Sequence, residues 1–248
     1  ALHNYHETYN LLPPGFITQS GTNAATLSAA NPGWSWGAAI LPQTDGATLF
    51  NAMQVGTRTP AGLLGEADSH AGKIALRSAY PAFLCPSDTA PSTNSKRKVG
   101  PTSNIEVATS SYVGSNNVIV GVAANGAVGT TTTFSANTPV LDTATPANSR
   151  YVGAFSGNSS TGFRDVTDGL SNTILVGERA WKVGSANGDR QANSGLAFIN
   201  SGDAQVAVGT NSSVANIADT LGGAREKINY AGTVGGAVSN DPSGYSSF

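Results

Sequence analysis

Apolar residues recur at helical spacing up to about Leu84, and short strand-like runs separated by turn clusters take over beyond it. This switch in period constrains the fold more than any other feature of the chain. At the start, Leu2, Tyr5, His6 and Tyr9 share one helical face over residues 1–10, and Leu11-Leu12-Pro13-Pro14-Gly15 stops the helix. Proline ends a helix because it lacks the amide donor and restricts the residue before it. Gly33 to Pro42 predicts a short helix presenting Trp34, Ala38 and Leu41 to the core. Residues 47–54 and 71–80 predict two more, with Leu49, Phe50, Met53, Ile74, Leu76 and Ala79 facing inward. Strands are expected around 109–113, 117–123, 151–156, 172–179, 196–200, 205–209 and 228–233. Helices first and strands after predict an α+β fold with a mostly antiparallel sheet.

The 248 residues suit one globular unit. We divide the chain into a helix end over 1–12 and a single head over 13–248, with surface insertions near 124–149 and 183–222. Charged residues are only 11%, against roughly 25% in an ordinary soluble protein. With 39% hydrophobic residues and a net charge of −2, self-repulsion does not keep the chain unfolded. Lys96-Arg97-Lys98 is the nearest thing to a basic patch and reads as a solvated turn, so no nucleic-acid partner is expected. No apolar run reaches the roughly 20 residues that span a bilayer. No capping side chain precedes Ala1, so the first segment reads as the end of a longer helix, and any membrane anchor is expected outside this sequence. Cys85 is the one cysteine, set in Phe83-Leu84-Cys85-Pro86. It reads either as a buried small hydrophobe or as half of a bridge.

The residues of known chemistries do not assemble into a catalytic set. His6-Glu7-Thr8-Tyr9-Asn10 opens like a zinc-protease helix, but Asn10 stands where the second histidine must be. Gly157-Asn158-Ser159-Ser160-Thr161 misses the last glycine of a nucleophile elbow. His3 with His6 reads as a polar helix face, and His70 follows Asp68-Ser69 in a polar loop. The chain is therefore expected to be non-enzymatic. The strongest local signal runs from Phe163 to Arg179, with an Asp168-Gly169 turn and a buried strand from Thr173 to Val176. Asp165, Asp168 and Asn172 offer hard oxygens for calcium, but their spacing is not that of a calcium loop, and a structural Asx turn is the leading reading. No other cofactor is expected. Trp34 and Trp36, with Trp181, are candidate stacking platforms for a ligand, set against the more ordinary reading of buried indoles.

Taken in order, these landmarks resemble the planctomycete family of prepilin-type proteins known as domain of unknown function 1559, sometimes labelled solute-binding. The residues that carry the likeness are Ala1 to His6, Pro13-Pro14-Gly15, Trp34-Ser35-Trp36, Phe83 to Asp88, Ser111 to Asn116 and Asp165 to Arg179. The chain departs from the family at Gln43-Thr44-Asp45-Gly46, where members often read Tyr-Leu-Glu-Gln, which shortens or reshapes the second helix. It also stops at Ser246-Ser247-Phe248, where the family's closing His-x9-Asp-Gly signature would begin. The resemblance implies a pilin- or pseudopilin-like head, with the end of a long N-terminal helix packed on a sheet. It implies a cell-surface location, anchoring by a helix absent here, and copies of itself or other pilin-like subunits as partners. That absent helix often carries a cysteine, a candidate partner for Cys85. The alternative is an extracytoplasmic module that binds a solute or glycan.

Overall fold

The computed structural model describes residues 1–17, 31–97, 99–100, 105–117, 154–155, 157–183, 190–191, 194–200 and 220–223. It is a mixed helix-and-sheet fold with several small sheets, consistent with α+β. The strands expected at 205–209 and 228–233, most of those at 117–123 and 151–156, the insertion at 124–149 and most of that at 183–222 lie outside the described residues.

Helix α1 (Leu2–Tyr9) forms where the first periodic segment predicts it. Leu2, Tyr5 and His6 turn toward the body, while Tyr9 is exposed. Asn10 ends the helix in the left-handed region (φ 56°) and returns its N–H to the carbonyl of His6. Asparagine tolerates that conformation better than other non-glycine residues do.

Strand β1 (Phe16–Ile17) pairs antiparallel with β2 (Gly33–Ser35). Here the structure corrects the expected helix over residues 33–42. Gly33 to Ser35 is strand, α2 covers only Trp36–Ala39, and a 3₁₀ turn follows at Leu41–Thr44. Ser35 marks the change. Its Oγ accepts from the Ala38 N–H and donates to the Ala197 carbonyl, so one hydroxyl caps α2 and ties it to a neighbouring loop.

Helices α3 (Ala47–Met53), α4 (Pro60–Leu64) and α5 (Ala71–Arg77) complete the helical half. Met53, Leu63, Leu64 and Leu76 are buried. Ile74 and Ala79 correct the expected inner face of α5. The helix turns Gly72, Lys73, Ala75 and Leu76 inward, which leaves Ile74 52% exposed and Ala79 exposed beyond the helix end.

The strands follow. β3 (Thr109–Ser110) pairs antiparallel with β8 (Gly195–Leu196), and β6 (Lys182–Val183) with β7 (Arg190–Gln191). β4 (Tyr112–Asn117) lies between β5 (Val176–Glu178), antiparallel to it, and β10 (Leu221–Gly223), parallel to it. β9 (Ile199–Asn200) completes the β1–β2 sheet on its β2 side. The expected strand over 172–179 is shorter than its apolar run. Leu170–Asn172 forms a 3₁₀ turn, pairing starts at Val176, and Ile174 is 52% exposed.

One apolar core joins the two halves. At its centre the Trp36 ring meets Phe83 edge-on at 5.8 Å and Phe155 at 5.7 Å, and Phe83 meets Phe198 edge-on at 6.1 Å. Such aromatic contacts contribute about 0.5–1.5 kcal/mol each beyond area burial. The packing leaves no room at Gly37, where a Cβ would lie 2.2 Å from the Ala197 carbonyl oxygen. Because that obstacle is backbone, Gly37→Ala should destabilise the fold by about 3 kcal/mol through overpacking. Urea unfolding followed by tryptophan fluorescence measures the loss.

Candidate functional site

The clearest convergence of sequence landmarks is built on Asp88. The turn from Cys85 to Asp88 is closed by the Asp88 N–H donating to the Cys85 carbonyl at 3.1 Å. It holds the Asp88 carboxylate against three other segments. The Trp181 N–H donates to Oδ1 at 2.9 Å and lies 3.2 Å from Oδ2. The hydroxyls of Ser111 and Ser194 donate to Oδ2 at 3.0 and 3.3 Å. Hydrogen bonds to an ionised carboxylate are roughly twice as strong as neutral ones. The same segments are also joined through backbone: the Ser111 N–H donates to the Phe83 carbonyl, and the Arg179 N–H to the Ser111 carbonyl. Phe83–Asp88, Ser111–Asn116 and the end of Asp165–Arg179 therefore meet at one place.

Two buried arginines extend this junction. Arg179, 2% exposed, donates through Nη2 to the Leu221 carbonyl at 3.1 Å, which links β5 to β10 across β4. Arg97, also 2% exposed, donates through Nε to the Ser194 carbonyl at 2.9 Å. Asn94 shapes the Arg97 turn by accepting the Lys96 and Arg97 N–H groups at Oδ1, while its Nδ2 donates to the Gly195 carbonyl. This corrects the reading of Lys96-Arg97-Lys98 as a solvated turn: Lys96 is exposed, Arg97 is inside, and Lys98 lies outside the described residues.

A second junction docks α1. The His6 ring stacks on Phe163 at 3.8 Å with 10° between the planes, and its Nε2 accepts the Phe163 N–H at 3.2 Å. The His3 ring lies 4.9 Å from the same phenyl ring. The Leu12 N–H donates to the Thr161 carbonyl just beyond the helix. Thus α1 rests on the turn at Phe163–Asp165 and near the 3₁₀ turn at Leu41–Thr44.

The calcium candidates act in turn construction. Asp165 accepts the Gly162 N–H at 2.7 Å through Oδ2, which closes the start of its own turn. Gly169 has φ 86°, a backbone that favours glycine. Asn172 donates through Nδ2 to the Asp168 carbonyl, and the Thr173 hydroxyl donates to the Gly169 carbonyl. The loop is closed by Asn172 and Thr173 reaching back, not by the Asp168 side chain reaching forward. Among the described residues, no group of three or more His, Cys, Asp or Glu side chains is placed to hold a metal.

Trp34 and Trp36 face the core, each 4% exposed, and Trp181 is 8% exposed. This corrects their candidacy as stacking platforms, because their ring faces are spent on packing. Their polar ends are satisfied internally: Trp34 Nε1 donates to the Arg58 carbonyl at 2.8 Å and Trp36 Nε1 to the Thr220 carbonyl at 3.0 Å.

Cys85 is half-buried, not fully buried, with Sγ 3.1 Å from the Ser87 hydroxyl oxygen. Beside it, partial burial raises the Tyr112 phenol above its ordinary value, with smaller contributions from Cys85 and Glu178. In the helical half, Lys73 Nζ donates to the Glu66 carbonyl at 2.8 Å and pairs with Asp68 Oδ1 at 3.0 Å. The hydrogen bond and charge of Lys73 lower the Asp68 carboxyl below its ordinary value.

These junctions coincide with a family pattern that spans nearly the whole chain: the model for the family described as "Protein of unknown function (DUF1559)" matches residues 1–245. The chain belongs to this family. No curated protein and no solved structure matches it. Within this member of the family, sequence reasoning missed the anchoring role of Asp88 and the inward turn of Arg97. The signal for Asp88 was a carboxylate closing Cys85-Pro86-Ser87 in a chain with few charges; nothing in the sequence around Arg97 marks it as buried.

Asp88→Ala would leave the Trp181 N–H and two serine hydroxyls without their acceptor, so it should cost about 2–4 kcal/mol. Asp88→Asn keeps one acceptor oxygen and should cost less, and chemical denaturation of both variants checks the order. For Asp68, a carboxyl lowered in the folded state adds stability above its unfolded value and loses it as pH falls. The wild-type advantage over Asp68→Asn should therefore be present at neutral pH. It should close as acid takes the pH below the ordinary value of 3.8, as followed by thermal unfolding across pH.

Proposed function

We propose that this chain is the head of a non-enzymatic, pilin- or pseudopilin-like subunit of the planctomycete prepilin type. In this reading it stands at the cell surface and assembles into, or decorates, an envelope filament. The observation that carries the proposal is how the polar side chains of the landmark motifs are used. Asp88 and Ser111 bond one another, Arg179 donates to a distant carbonyl, and Asp165, Asn172 and His6 each bond backbone. Motif residues spent in this way build a scaffold, whereas a catalytic set directs its polar atoms at a substrate.

The placement of α1 supports the same reading. One face rests on the head through Leu2, Tyr5 and His6, while Asn4, Glu7 and Thr8 face solvent. A helix held along one side leaves the other for neighbouring subunits, which the proposal takes to be copies of this chain or related pilin-like proteins. The low charge and abundant small polar residues suit an exposed, hydrated coat.

Immunogold electron microscopy of cells that produce the protein, with antibody raised against this head, tests the proposal. Gold along filaments that are lost on shearing and recovered as fibres is the expected outcome. Diffuse envelope label without fibres would overturn assembly and leave a solute- or glycan-binding head as the reading to pursue.

A further inference from the structure

We infer that His70 is a proton-sensitive latch at the corner between α4 and α5, closed while its imidazole is neutral and opened by acid. His70 is the N-cap of α5, and its Nδ1 accepts the Gly72 N–H at 3.1 Å. On the other side of the ring, Nε2 lies 3.4 Å from Arg58 Nη1. Both ring nitrogens thus face a nitrogen that carries protons, and one of those neighbours is a guanidinium. A neutral imidazole has one acceptor nitrogen to offer, and a protonated one has none.

Protonation acts in one direction through each of these contacts. It removes the acceptor for the Gly72 N–H and so deletes the cap. It places a positive charge at the start of a helix, the end that disfavours cations. It also sets an imidazolium beside the Arg58 guanidinium. The remaining charges at this corner are already committed. Arg58 Nη2 donates to Glu66 Oε1, so a protonated ring would have to compete with Arg58 for that carboxylate. Asp68 pairs with Lys73 and lies 4.0 Å from Arg77. Helices α3 and α4, which pack on α5, carry no ionisable side chain.

The latch reaches beyond its own turn because Arg58 also accepts the Trp34 indole N–H at its carbonyl, on strand β2. Gly72 sits against α3 closely enough that a Cβ there would lie 2.6 Å from the Ala52 carbonyl oxygen. Loss of the cap therefore loosens the point where α5 is pressed onto α3.

The test is amide exchange and ring titration by NMR on the whole chain, comparing the wild type with His70→Asn. Asparagine caps a helix well and does not ionise. In the wild type, Gly72 exchange, corrected for the intrinsic effect of pH, should rise about fivefold as the His70 ring protonates, the size expected for a lost cap. In His70→Asn the rise should be absent, while His6→Gln should retain it. A wild-type Gly72 amide whose protection is unchanged when the His70 ring protonates would overturn the latch, as would an equal rise in His70→Asn. Should His70→Asn fail to fold, the wild type decides alone: a rise in Gly72 exchange with the same midpoint as the His70 ring titration supports the latch, and a different midpoint overturns it.

Discussion

The Asp88 carboxylate is the contact on which the arrangement of the strands depends. Few ionic groups are available to a chain with 11% charged residues, and this one is used to hold four segments in register. Ser111 begins the approach to β4, Trp181 leads out of β5 toward β6, and Ser194 precedes β8. Strands of two or three residues cannot set their own register, because each contributes too few ladder hydrogen bonds. A carboxylate with several donors supplies the missing specification from outside the ladder.

The buried arginines follow the same logic. A guanidinium has five N–H donors and no acceptor, so it can bridge backbone carbonyls that short strands leave unpaired. Arg179 reaches Leu221 and Arg97 reaches Ser194, each from a position almost wholly removed from water. Burial of such a group is tolerated only when its donors are satisfied. In this protein charge is therefore an internal structural material as well as a surface property.

Much of the helical half was legible from spacing. The segments that became α1, α3 and α5 carry apolar residues at helical intervals, and Pro13-Pro14-Gly15 ends the first. α4 went unread although Thr59-Pro60 is a cap followed by a proline at the first helical position, because the segment it opens is only five residues long. Trp34 and Ile74 show where spacing fails. The block around Trp34 is apolar on every side, so period alone does not separate a strand ending at Ser35 from the helix that begins at Trp36. Ile74 points outward because α5 is rotated to bring Gly72 against α3, and a glycine on the contact face outweighs the preference of one isoleucine for burial.

By itself the sequence determined the segments that became α1, α3 and α5, the stop after α1, the positive-φ turn at Gly169 and membership of the family. These depend on local period, on proline and glycine stereochemistry, and on motif order, all of which are written in neighbouring residues. Only the tertiary structure decided that the three tryptophans are core, that Arg97 is inside its basic triplet, and that Asp88 and His70 act on distant or adjoining backbone. Those outcomes depend on which segments come together across as many as 184 positions, as between Trp36 and Thr220, and local spacing carries no record of that distance.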